Sequence, residues 1–151
     1  MINSVPSNAV SVPQILVVDD DLFFSVRVET TLKKLGYGVE VVGSAEKAME
    51  IVSRSSIGLV IINFRASKYS ASDLVRALKQ QNPSPSVLCF MPHKQMPELK
   101  PLAREAGADL IVANSALTMR LPQLVAKLAP LDGAKPSLIE ARALQGDDED
   151  E

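Results

Sequence analysis

Five short apolar runs, separated by segments of helical periodicity, restrict more than any other feature how this chain can fold. They fall at residues 15–18, 39–42, 59–64, 87–91 and 110–112. Their length and β-branched content are those of strands. Between them lie apolar stripes at helical spacing. Phe24, Val28, Leu32 and Leu35 form the first, stopped by Gly36, and Ala45, Ala48, Met49 and Val52 the second, with Ser44 as N-cap. Leu74, Val75 and Leu78 form the third, capped by Ser72 or Asp73, and Leu102, Ala103 and Ala106 a short fourth, ended by Gly107. Leu121, Leu124, Val125 and Leu128 form the fifth. Strands alternating with helices predict an α/β fold: a doubly wound, five-stranded parallel sheet with helices on both faces. Proline is tolerated in a first helical turn and not in an interior. Pro101 is therefore read as opening the fourth helix, with 92–100 a loop, and Pro122 as lying in the first turn of the last helix. Ligands of such sheets lie beyond the carboxyl ends of the strands, where Asp19, Asp20, Asp21, Asn63 and Met91 are placed.

A length of 151 residues predicts one domain, and 46% apolar residues a globular one. Residues 1–13, with Asn3, Ser4, Pro6, Ser7, Asn8, Ser11 and Pro13, read as a flexible arm, 14–130 as the domain, and 131–151 as an acidic tail. Within the tail, 137–144 has the pattern of a two-turn helix, ended by Gly146 before the acidic run 147–151. The 16 basic residues are scattered against 18 acidic ones, which argues against a nucleic-acid footprint. Cys89 is the only cysteine, so no disulfide can form within the chain, and its apolar neighbours make it a core residue. No apolar stretch has the length of a membrane span, and the N-terminus lacks the features of a signal peptide, so a cytoplasmic protein is expected.

Four motifs follow one another in a particular order. They are Ile15-Leu16-Val17-Val18-Asp19-Asp20-Asp21, Leu35-Gly36-Tyr37, Ser44-Ala45-Glu46-Lys47-Ala48 and Glu105-Ala106-Gly107-Ala108-Asp109. In that order and spacing the chain resembles the receiver domains of response regulators in two-component signalling, a flavodoxin-like fold, over about residues 14–130. The resemblance implies a phosphorylation pocket. Its acidic pair, which binds a divalent cation, maps to Asp19 and Asp20. The phosphoryl-accepting aspartate maps to Asn63, the hydroxyl that binds the phosphoryl group to Met91, and the lysine to Asn114. Ser115 stands where a proline follows that lysine, and Ala66-Ser67 where Met-Pro follows the acceptor. The aromatic switch position maps to Ile111.

A carboxylate can attack phosphorus to form an acyl phosphate, whereas an amide has a neutral oxygen and a delocalised nitrogen lone pair. Loss of acceptor, hydroxyl and counter-charge together points to a degenerate receiver, a pseudo-receiver, that is no enzyme. With too few residues beyond 130 for an output domain, a stand-alone, phosphorylation-independent module acting by protein contact is expected. Asp19, Asp20 and Asp21 read either as a polar strand end leading into a helix N-terminus or as a residual, weak magnesium site at Asp19 and Asp20; no other cofactor is implied. The amide of Asn63 can donate to this acidic cluster. His93 reads as a solvated loop residue, and Arg65 and Lys94 as candidate substitute cations. The resemblance places a partner or homodimer surface on the fourth helix, fifth strand and fifth helix, about residues 97–128. There Leu117, Met119 and Leu121 are either core or an exposed contact patch. Two alternatives stay open: phosphorylation at Asp20 or another nearby residue, and a small-molecule module using the vacated pocket.

Overall fold

The computed structural model describes residues 14–132 and 134–144; the expected N-terminal arm, Gly146 and the acidic run 147–151 lie outside the described residues. Five parallel strands, β1 (Gln14–Val18), β2 (Gly38–Val42), β3 (Leu59–Asn63), β4 (Ser86–Met91) and β5 (Leu110–Ala113), pair in the order β2-β1-β3-β4-β5. The helices are α1 (Leu22–Lys34), α2 (Ala45–Arg54), α3 (Ala71–Lys79), α4 (Met96–Ala106), α5 (Asn114–Leu128) and α6 (Leu138–Ala143). No described helix is long and apolar enough to cross a membrane.

Side chains alternate across a strand, and here the alternation sorts them into two cores. Ile15, Val17, Leu59, Ile61, Leu88 and Phe90 point towards α1 and α5, where Val28, Leu32, Leu117, Leu121 and Leu124 meet them. Leu16, Val18, Val60, Ile62, Cys89 and Met91 point the other way, towards Ala48 and Ile51 of α2, Leu74, Val75 and Leu78 of α3, and Ala103 of α4. Cys89 is fully buried, and that burial pushes its thiol far above the ordinary range. Gly36 and Gly107 take the left-handed conformations (φ +101° and +114°) that end α1 and α4.

Three helix starts differ from those expected. The cap of α3 is Ser70, whose hydroxyl accepts from the backbone N–H of Asp73; neither Ser72 nor Asp73 caps it, and Ala71 is already buried in the first turn. A 3₁₀ turn at His93–Gln95 runs directly into α4, which begins at Met96, so most of 92–100 is helical. The buried stripe of α4 is Met96, Ala103 and Ala106 with Leu99, and Leu102 faces outward. Pro101 lies inside this helix; Pro97 and Pro101 are both exposed, so the carbonyl that loses its intrahelical donor meets water. In α5 the backbone breaks at Arg120 (φ −119°, ψ 16°). Pro122 therefore does sit in a first turn, that of the second half, and Asn114 opens a preceding segment that the apolar spacing did not announce.

At the amino end of the sheet, Asp109 clasps β4 to α3. Its Oδ2 accepts from Lys79 Nζ (2.7 Å) and from the Val87 backbone N–H (2.8 Å), and Lys79 also donates to the Pro85 carbonyl (3.0 Å). Removing a partner from a partly buried donor costs more than the bond itself contributes. Asp109→Ala should therefore lower unfolding stability in urea by about 1–3 kcal/mol. Asp109→Asn, which keeps an acceptor for Val87, should lose measurably less; equal losses would contradict this account of the clasp.

Candidate functional site

The site lies where the carboxyl ends of β1 and β3 meet. Val18 pairs with Ile62 across the two strands, so Asp19 and Asn63 emerge side by side. Asn63 Nδ2 donates to Asp19 Oδ1 at 2.9 Å. Asn63 Oδ1 in turn accepts from the Arg65 N–H at 3.0 Å, which fixes which end of the amide faces the aspartate. The donation expected from Asn63 to the acidic cluster is thus present.

The other carboxylates are tied into the backbone. Asp20 Oδ2 accepts from the N–H groups of Ser67 (3.1 Å) and Lys68 (3.2 Å), which draws the loop after β3 over the strand ends. Asp21 caps α1, accepting from Phe23 and Phe24. The Tyr69 hydroxyl lies 2.9 Å from the carbonyls of both Val18 and Asn63; having one proton, it shares it between them. Burial, with Asp19 and Asp20 nearby, pushes that phenol far above its usual range, so it remains a donor. Ser67, Lys68 and Tyr69 were not singled out in the sequence. The one signal lay in Ala66-Ser67, where the loop departs from the family's pattern.

Asp19 is 2% exposed, and its second oxygen, Oδ2, has no hydrogen-bond partner. Burial pushes its carboxyl above the ordinary 3.8, opposed by the bonds from Asn63 and the Asp21 N–H and reinforced by the charges of Asp21 and Asp20. Met91 is fully buried at the end of β4, and Ile111 is buried in the core shared with α2, α3 and α4. Asn114 opens α5 with its Oδ1 buried and unpaired. Arg65 and Lys94 are exposed and make no ion pair or side-chain hydrogen bond with the aspartates among the described residues; His93 is exposed in its 3₁₀ turn.

Among the described residues no three His, Cys, Asp or Glu side chains converge as a metal-binding group. A hard cation wants several oxygens. Here Asn63 turns its NH₂ inward, and Asp19 Oδ1 and Asp20 Oδ2 are engaged. Asp19 Oδ2, which has no hydrogen-bond partner, is left facing the pocket, so the described arrangement offers a cation few oxygens beyond those already engaged.

Leu117 and Leu121 are buried against the sheet and form no surface patch; Met119, 72% exposed, is the one of the three that faces outward. A different apolar patch flanks the pocket. Leu22 (73% exposed), Phe23 (87%) and Val26 lie on the outer face of the first turns of α1. The sequence carried this signal: once Phe24, Val28 and Leu32 take the inner stripe, these three apolar residues have no inward position left.

Sheet order, helix placement and a carboxyl-end pocket are those of a receiver domain. The chain belongs to the response regulator receiver domain family, which it matches over residues 15–126. Among solved structures it is similar to the chemotaxis response regulator CheY4 of Vibrio cholerae (20% identity, TM-score 0.64, covering 75% of this chain and 98% of that one). It is also similar to a CheY-like receiver domain protein of Methanospirillum hungatei (19%, 0.66, 81% and 98%) and to a receiver domain protein of Clostridium thermocellum (23%, 0.62, 74% and 93%). At these identities the likeness is one of fold. No curated protein matches the chain.

The folded state holds the Asp19 proton more tightly than the unfolded chain does. Asp19 thus contributes stability that is whole below about pH 3.8 and is lost as pH rises through its raised folded value. Asn63→Asp exchanges a donor for a like charge and should raise that value further. At pH 7 the variant should be less stable by about 1–3 kcal/mol, with a deficit that shrinks as pH falls towards 4, where one proton can bridge the two carboxyls. Urea melts at both pH values measure this; a variant as stable as the parent at pH 7 would show the Asn63–Asp19 bond to be dispensable.

Proposed function

We propose that this receiver domain serves two-component signalling without being phosphorylated, as a pseudo-receiver that acts by protein contact and not as an enzyme. The observation that carries the reading is the Asn63–Asp19 hydrogen bond. The amide at the strand end is no phosphorus nucleophile, and its NH₂ occupies one oxygen of the Asp19 carboxylate. The alternative acceptor, Asp20, spends one oxygen on two backbone donors. With Met91 buried and Asn114 neutral, neither a hydroxyl nor a cation stands ready at the positions where the family pattern puts them. Divalent cation binding, on this reading, is weak.

Incubation with acetyl phosphate and magnesium, followed by intact mass measurement, should leave the mass unchanged. Asn63→Asp alone should not restore stoichiometric phosphorylation, because the hydroxyl and the lysine remain absent. A full phosphate adduct on the parent chain would overturn the proposal, and mapping it to Asp20 would establish the alternative of a non-standard acceptor.

A second reading, a module for a small ligand in the vacated pocket, is favoured by one observation. Asp19 Oδ2 and Asn114 Oδ1 are buried acceptors without partners, and a ligand rich in donors would satisfy such groups.

The contact surface most open to a protein partner with apolar side chains is the stripe Leu22, Phe23 and Val26. Phe23→Glu should reduce partner capture from cells of origin by roughly tenfold or more, the scale of a contact anchor, with the circular dichroism spectrum unchanged. Met119→Glu should reduce it little. If Asn63→Ala abolished capture and Phe23→Glu did not, the pocket itself would be the working site.

A further inference from the structure

A cleft of about 450 Å³ opens between α4, β5 and α6, and none of the three strand-end aspartates lines it. Its volume falls within the roughly 300–1,000 Å³ of small-molecule sites. Three cations line it. Lys100 and Arg104 stand one helical turn apart on α4, and Arg142 comes from α6. Among the described residues none of the three forms an ion pair. The one acid on the wall, Asp109, already has its counter-charge, because its Oδ2 is paired with Lys79 at 2.7 Å and also accepts from the Val87 N–H. Glu140 of α6 is paired with Lys127, and Glu105, next to Arg104 in the chain, does not line the cleft. The wall thus carries three positive charges without a counter-charge on it.

The cations are also ordered for binding. Arg142 donates from Nη2 to the Asp109 carbonyl at 3.1 Å, which fixes the guanidinium at the start of β5 and leaves the rest of its planar fork of donors open. A ligand that meets a side chain already held in place loses less side-chain freedom on binding. Leu110 and Ile111, also in the lining, are buried, so the wall offers charge and little apolar surface. Arginine forks pair with phosphate or carboxylate oxygens through two parallel bonds, and lysine adds a point charge. A phosphate monoester carries about 1.5–2 negative charges near neutral pH, fewer than the cations here, and a single carboxylate carries fewer still. A diphosphate carries more charge, and its oxygens can meet neighbouring cations at once.

We propose that this cleft binds the diphosphate group of a small organic ligand, held between Lys100 and Arg104 of α4 and Arg142 of α6. A ligand so held ties α6 to α4 across β5. The site shares no residue with the aspartate pocket and does not depend on whether that pocket takes a phosphoryl group.

Titration of the full chain with ADP and with pyrophosphate, free of magnesium and at about 20 mM salt, where screening is weak, tests this through amide chemical shifts. Both probes should shift the Lys100, Arg104, Ala108 and Arg142 amides saturably and leave those of Asp19 and Asn63 in place. Inorganic phosphate should bind on the order of tenfold more weakly, the scale of one lost charge-assisted contact. Arg104 makes no side-chain bond in the described fold, so Arg104→Gln should weaken ADP binding by about tenfold with the circular dichroism spectrum unchanged. Arg142→Lys, which keeps the charge and loses the fork, should weaken it by a smaller factor. Failure of ADP to saturate these shifts would overturn the proposal, as would an affinity unmoved by Arg104→Gln. So would inorganic phosphate binding as tightly as pyrophosphate. Tighter binding of a tetra-aspartate peptide than of ADP would overturn it too, and would assign the cleft to an acidic protein segment.

Discussion

Strand β3 sits in the middle of the sheet, and both of its faces are covered by helices. Leu59, Val60, Ile61 and Ile62 are fully buried, so a polar side chain on this strand can be accommodated only at its exit. That constraint delivers residue 63 to the carboxyl edge beside Asp19 and makes the identity of a single side chain decisive for the pocket's chemistry. With an amide there, the strand end closes on its neighbour through a 2.9 Å bond. The three consecutive aspartates then divide into separate tasks: one receives the amide, one holds the loop after β3, and one caps α1. Each of the three acids thus gives at least one oxygen to the fold, and only Asp19 Oδ2 is left buried without a partner.

Much of this was legible in the residues because the deciding signals were local. Short apolar runs identified all five strands, interrupted only by Glu40 in β2 and by Asn63 at the end of β3, and their alternation with helical stripes led to the parallel sheet. Ser44 as a cap and the helix after Ser137 followed from short-range chemistry and were found as expected. The errors arose where a local rule met a tertiary alternative. Pro101 was read as a helix start because an interior proline loses a hydrogen bond, yet an exposed carbonyl can give that bond to water. Leu102 looked like core by adjacency to Ala103, whereas Met96 and Leu99 complete the stripe one turn earlier.

At the site, the residues at the strand ends could be named from sequence, but their partners could not. Nothing in spacing shows that Ser67 and Lys68 will offer their N–H groups to Asp20, or that Tyr69 will bridge two strand carbonyls, because those contacts join segments roughly fifty residues apart. The apolar residues near the start of α5 illustrate the same limit. Leu117 and Leu121 satisfy a helix stripe and a surface patch equally well on paper, and only the break at Arg120 and the packing against the sheet decide for burial.

Helix α6 lies beyond the residues matched to the family, 15–126, and packs against both α5 and β5. Strand β5 is an outermost strand, and such strands present unpaired peptide groups that invite another chain to add on. By settling beside it, with Lys127 joined to Glu140 at 2.6 Å and Arg142 bonded to the Asp109 carbonyl, α6 shields that border. The two borders of the sheet therefore differ: β5 has a helix packed beside it, whereas β2 carries an exposed charge, Glu40, of the kind that discourages strand addition.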